Sequence, residues 1–197
     1  MFVVRSLMAM ISLALISLSV PLVHADEACE DFVEETLENM FSTLNGSQTT
    51  ADDDLSALVQ ANVDTPSIAK FTLGKYANRI SLDELDQYAR ALNRYFLDTI
   101  HENIQGGQGL SVDILKSFDR SNRDCIVETV VHRGALDDIV VAWRVMHVGD
   151  NYQVIDLAIE TGGNTIWLAI ELRAQVVALF ERSNGDMDVV INELGMG

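Results

Sequence analysis

From Cys29 to Leu44 the apolar residues Phe32, Val33, Leu37, Met40, Phe41 and Leu44 recur at helical spacing, and Asn45-Gly46 breaks the pattern. An amphipathic helix with one buried face is predicted. After the polar stretch Gly46-Ser-Gln-Thr-Thr50, three acids, Asp52, Asp53 and Asp54, precede Leu55, Leu58 and Val59. They fall in the first turn of a second helix, where negative charge meets the positive end of the dipole, so no metal is needed to explain them. Asp64-Thr65-Pro66 starts a third helix through Ile68, Phe71 and Leu73 to Gly74. A short helix through Tyr76 leads to Ser81-Leu-Asp-Glu84, a capping box with Ile80 and Leu85 placed as a hydrophobic staple. Leu85, Tyr88, Ala89, Leu92, Tyr95, Phe96, Thr99 and Ile100 then share one broad face, and Gly106-Gly107 closes the helical half.

The period then changes. Val112 to Phe118, Cys125 to Arg133, Asp138 to Val148 and Tyr152 to Ile159 are runs rich in β-branched residues separated by turn signals at Ser-Asn, Gly134 and Gly149-Asp-Asn151. Four sequential strands in an antiparallel meander are expected. Ile139, Val141, Trp143 and Val145 lie on one face of the third strand while Val140, Ala142, Met146 and Val148 lie on the other, so apolar material should cover both faces. From Gly162-Gly163-Asn164 the pattern reads as a helix through Ile166, Trp167, Ile170, Arg173, Val177 and Phe180, ended by Asn184-Gly185, and a last helix runs from Asp186 through Leu194. The fold class is α+β: a helical N-terminal half, a curved antiparallel sheet of about four strands, and C-terminal helices, whose apolar faces meet as filled core, enclose an apolar pocket or take a partner.

Ahead of the first helix stands Met-Phe-Val-Val-Arg5, an apolar run to Leu22, and Val23-His24-Ala25 before Asp26-Glu27. One positive charge, an apolar core and small residues before the break make residues 1–25 a cleavable secretory signal, leaving 26–197 as one exported domain. The chain carries 13 basic and 30 acidic residues, a formal charge of −17, and loss of the leader removes only Arg5. Nucleic acid and a bare anionic membrane surface are therefore poor partners, since both would repel such a chain. In an oxidising compartment Cys29 and Cys125 either pair, tying the first helix to the sheet, or stay as two buried thiols.

Candidate chemistry is sparse. His101, His132 and His147 lack ligand spacing, so zinc is not indicated, and they read as ordinary helix-end or strand residues, with His132 set opposite a residue near Val140 if the turn spans Gly134 to Asp137. There is no Gly-x-Ser-x-Gly elbow, and Gly106-Gly107-Gln-Gly109 follows a helix and precedes a strand, the reverse of a dinucleotide site. Asp156 and Glu160 share a face of the fourth strand. One Asp in an apolar pocket can serve an isomerase as base, but a carboxylate that points to solvent or caps a helix explains the pair more simply. No catalytic residue, cofactor or metal is assigned.

The run Val63-Asp-Thr-Pro-Ser-Ile-Ala-Lys-Phe-Thr-Leu-Gly-Lys-Tyr76, the helix Ser81 to Phe96, the Trp-bearing strand Ile139 to Val145, the hairpin Gly149 to Asp156, Arg173 and Gly185-x-Met-x-x-Val-Ile-x-x-Leu194 together resemble the MlaC family. The resemblance implies a periplasmic carrier that encloses phospholipid acyl chains. It would shuttle them between an outer-membrane lipoprotein complex and an inner-membrane ABC transporter with MCE domains. A hopanoid-associated branch of the family is also compatible. Candidate lining residues are Leu73, Tyr76, Tyr88, Leu92, Phe96, Trp143, Val145, Leu157 and Trp167. Where the family usually has Glu-Gly-Val-Ser, Glu160 is followed here by Thr-Gly-Gly-Asn164, so a partner contact or pocket-rim role of that loop does not carry over, while the fold does. The competing readings are a small enzyme using Asp156, with that side chain facing a cavity, and a plain adaptor with a filled core.

Overall fold

The computed structural model describes residues 27–45, 51–104, 109–134 and 136–195. The signal sequence expected over residues 1–25, the polar stretch 46–50 and the Gly106-Gly107 break lie outside the described residues. Helices α1 (Glu27–Asn45), α2 (Ala51–Asn62), α3 (Thr65–Leu73), a 3-10 turn (Gly74–Tyr76) and α4 (Leu82–Ile104) come first. Strands β1 (Leu110–Ser121), β2 (Asp124–Arg133), β3 (Leu136–Val148), β4 (Asn151–Thr161) and β5 (Asn164–Trp167) follow, and α5 (Leu168–Arg182) and α6 (Met187–Glu193) end the chain. Fold class and helix order are as the sequence predicts. The sheet is an antiparallel meander in the order β1-β2-β3-β4-β5.

Local chemistry sets the boundaries. The Asp64 side chain accepts the Ser67 backbone N–H at 3.1 Å and starts α3. At α4 the Glu84 carboxylate accepts the Ser81 N–H at 2.7 Å while Ser81 Oγ accepts the Glu84 N–H at 3.2 Å, which closes the capping box. One element departs from expectation. Asn164 to Trp167 is a fifth strand paired with β4, Ala158 opposite Trp167 and Ile159 opposite Ile166, and α5 begins only at Leu168. Gly162 and Gly163 both have positive φ, 58° and 78°, so the chain reverses as a tight hairpin, and the run Thr165-Ile166-Trp167 joins the open edge of β4 instead of starting a helix.

The apolar interior is divided. One cluster is purely helical: Ile68, Leu73 and Tyr76 from the α3 region, Tyr88 and Leu92 from α4, and Val176, Phe180 and Val190 from α5 and α6. A second fills the space between one sheet face and α1 and α2, where Val33, Leu37, Phe41 and Leu55 meet Val127, Val141, Val145 and Val154. Cys29 and Cys125 are joined in a disulfide at its edge, tying α1 to β2. The other sheet face needs less cover than the pattern implied. Its apolar centre is Ile126, Ala142 and Ala158 with Phe118 and Trp167 against them, and ion pairs Lys116–Glu128 and Arg144–Asp124 flank it. Short side chains and paired charges thus replace the second apolar layer.

Candidate functional site

From Leu82 to Leu92 the inner face of α4 is sealed, with Tyr88, Ala91 and Leu92 wholly buried. The Tyr88 hydroxyl lies 2.9 Å from Thr72 Oγ1, and burial raises its pKa to about 12, so it stays protonated and partnered. Beyond Asn93 the helix changes character. Phe96, Leu97 and Ile100 are only half-buried, and the last two pack against the sheet-side cluster. The strand residues bordering that cluster, Ile114, Ile139, Trp143 and Leu157, are half-buried too, with Trp143 directly opposite Leu157. The backbone of α4 packs closely on α2, α3 and α6, and its extended contacts are with these helices and not with strands. Leu97 and Ile100 of α4 and Ile114, Ile139, Trp143 and Leu157 of the sheet thus form a half-buried apolar rim around one cluster, the seam between helices and sheet. Within it Trp143 Nε1 donates to Thr129 Oγ1 at 3.0 Å, and Thr129 Oγ1 donates to the Val141 carbonyl at 3.3 Å.

The nine residues singled out by sequence do not share one lining. Leu73, Tyr76, Tyr88, Leu92 and Phe96 belong to the helical cluster, Trp143, Val145 and Leu157 to the sheet-side cluster, and Trp167 to the opposite face. Trp143 and Leu157 belong to the half-buried rim of the sheet-side cluster and Phe96 to that of the helical cluster, whereas Leu73, Tyr88, Leu92 and Val145 are filled core. Leu97, Ile100, Ile114 and Ile139 were missed. Leu97 and Ile100 could have been found from their spacing to Asn93, one turn and two turns along α4. Two open clefts lie elsewhere, one of about 440 Å³ between the start of α1 and the β3–β4 hairpin, the other of about 370 Å³ between the ends of α4 and α6. Each is rimmed by acids, with Asp31, Glu35 and Asp150 at the first and Asp98 and Glu102 at the second. Neither suits an acyl chain.

Asp156 is buried, and of the two simple readings the cap is the one realised. Its Oδ1 accepts the Leu157 N–H at 2.8 Å and the Ala169 N–H at 2.9 Å. Ala169 is in the first turn of α5, whose own N-cap residue, Trp167, offers no side-chain acceptor. A strand carboxylate thus does for α5 what an N-cap side chain does elsewhere. Desolvation raises its pKa, opposed by the two amides and by the Arg144 charge. Glu160 is exposed, paired in register with Thr165.

His132 differs from its sequence reading. Val131 pairs with Ile139 and Arg133 with Leu136, so His132 stands across from residues just before Val140 as expected, but it is not an ordinary strand residue. The imidazole lies between two carboxylates, Nδ1 2.9 Å from Asp138 and Nε2 3.0 Å from Asp113. Those hydrogen bonds, Asp113 first, raise its pKa above 6.5. Because the folded value is the higher, the pairing stabilises the fold fully at pH below the unfolded pKa and is lost as pH rises through the folded one. An NMR titration should place the His132 midpoint above 6.5, and Asp113→Asn should lower it; an unmoved midpoint in that variant would remove Asp113 as the principal partner.

No described helix is long and apolar enough to cross a membrane. No curated protein matches the sequence. Among solved structures, a phospholipid-binding protein from Ralstonia solanacearum, determined in complex with a phospholipid, superposes with a TM-score of 0.70 at 14% identity, covering 84% of this chain and 93% of that one. That likeness is one of fold. The family model of the MlaC protein matches residues 29–195, nearly the whole of the described chain, and the protein belongs to the MlaC family.

Proposed function

We propose that this MlaC-family protein is a periplasmic phospholipid carrier and not an enzyme. The leader over residues 1–25 is removed on export, and the domain 26–197 takes up acyl chains in the seam between α4 and the sheet. It exchanges them with an outer-membrane lipoprotein complex and an inner-membrane MCE-domain ABC transporter. The observation that carries the reading is the seam itself, half-buried apolar residues from α4 and from the Trp143–Leu157 strand pair that pack against the same cluster. Family membership and the fold shared with a protein crystallised with phospholipid support it. Each methylene moved from water into such a seam contributes about 0.8 kcal/mol, so an acyl chain is held without covalent chemistry. Because α4 is held by helices, loading moves it away from the sheet, with Phe96, Trp143 and Leu157 the first lining residues and Leu73, Tyr76, Tyr88, Leu92, Val145 and Trp167 reached only by wider opening.

Native mass spectrometry with lipid extraction, on protein purified without detergent, is expected to show one bound phospholipid per chain. Leu157→Asp, which sets a carboxylate in the seam, should abolish that mass shift while the fold is retained. A bare protein mass, unchanged after incubation with phospholipid vesicles, would overturn the carrier reading. A hopanoid in the extract would keep the carrier and change its cargo.

A further inference from the structure

The negative charge of this chain is unevenly spread. Residues 26–64 contain eleven acids and no base, whereas residues 65–82 contain Lys70, Lys75 and Arg79 and no acid. The fold gathers that basic stretch beside another cation. Arg173 of α5 donates to the Phe71 carbonyl at 3.2 Å and lies 4.9 Å from the centre of the Phe71 ring. The guanidinium sits so close to Gly74 that a Cβ there would meet it at 3.0 Å. Lys75 and Arg79 both lie over the Tyr76 ring, at 4.9 and 5.4 Å. Among these cations two large apolar side chains protrude, Phe71 at 42% exposure and Ile170, one turn before Arg173, at 54%. Acids are few here: Glu181 pairs with Lys75 at 2.9 Å, and Glu171 stands next to Ile170.

We propose that this face, made by α3, the 3-10 turn and the first turns of α5, docks on the anionic headgroup surface of a phospholipid membrane. Lys70, Arg79 and Arg173 meet lipid phosphates, and Phe71 and Ile170 dip into the interfacial layer. Single protruding apolar side chains set among basic ones suit a lipid surface, in which each inserts separately. A protein partner would favour a flatter apolar centre depleted of lysine. The overall negative charge does not forbid the contact, because charges farther than a Debye length, about 8 Å at physiological salt, are largely screened and the patch is what the membrane meets. The docking goes beyond the carrier reading and does not depend on it.

The test is flotation of the purified protein with vesicles of phosphatidylcholine alone and of phosphatidylcholine with about 30% phosphatidylglycerol, the anionic lipid that attracts basic residues near the surface. Binding should favour the anionic vesicles. At about fivefold per lost charge, the doubly reversed Lys70→Glu, Arg79→Glu protein should bind them at least 25-fold more weakly. Ile170→Ser, which leaves the charges in place, should also weaken binding, and Lys116→Glu on β1, which reverses one charge away from the patch, should not. Circular dichroism checks that each variant is folded. Equal binding by the wild type and the doubly reversed protein, or an equal loss in Lys116→Glu, would overturn the proposal. So would a wild type that ignores anionic vesicles, which would leave the patch to an acidic protein surface. Bound lipid is read in a separate experiment, so failure of the carrier reading and failure of the docking are distinguishable.

Discussion

Reduction of the Cys29–Cys125 disulfide is expected to lower the unfolding free energy by up to ~4.7 kcal/mol, the chain-entropy value for a closed loop of about 100 residues. The two cysteines are 96 positions apart. The loop they close contains α1, α2, α3, α4 and β1, so an intact bridge restricts most of the unfolded helical half. In the folded state the bridge fixes the start of α1 on β2, where the helix covers the sheet face that borders the seam. The Glu30 carboxylate, accepting from Ser117 on β1, is the nearby polar tie. Urea unfolding with and without reductant, and of the Cys29→Ala, Cys125→Ala protein, measures the effect. The midpoint should fall and the slope should rise, because an uncrosslinked unfolded chain exposes more surface. An unchanged midpoint would mean that Val33, Leu37 and Phe41 alone hold α1, and that the bridge adds nothing.

What could be read from the sequence and what could not divides along a physical line. The capping box at Ser81 and the Asp64 cap are contacts between residues three apart, and both are where local pattern puts them. The Asn164–Trp167 stretch shows the limit. Its residues fit both a helix start and a strand, and the choice is made by the open edge of β4, which no local pattern records. The same limit governs the site. Periodicity tells that Tyr88 and Trp143 are inward, but not that one enters a helical cluster and the other a sheet-side cluster, since that depends on which helices cover which face. His132 gave no signal because its partners, Asp113 and Asp138, come from the strands on either side and meet it only through the register. The change in α4 beyond Asn93, from sealed to half-buried, likewise comes without any break in the helix pattern.

Asp156 separates a structural carboxylate from a catalytic one, and its variants are the second large effect. Asp156→Ala leaves the amides of Leu157 and Ala169 without an acceptor at the start of α5, and burial of two such donors costs on the order of 3 kcal/mol. Asp156→Asn retains an Oδ1 that can accept both amides and removes the charge whose desolvation raises the pKa, so it should cost well under half as much. The pH dependence distinguishes the two cases further. With the folded pKa above the unfolded 3.8, the native state holds the proton more tightly, so this group's contribution falls as pH rises from 3.8 through the folded value. That slope should be present in the wild type and absent in Asp156→Asn when chemical unfolding is followed across the window. A carboxylate serving as general base would not rank the two variants apart. It needs an open approach to its oxygens, and Ala and Asn would abolish activity alike while leaving stability nearly untouched. If both variants unfold at the wild-type urea midpoint, the cap is not what holds the start of α5, and Asp156 returns as a candidate for chemistry.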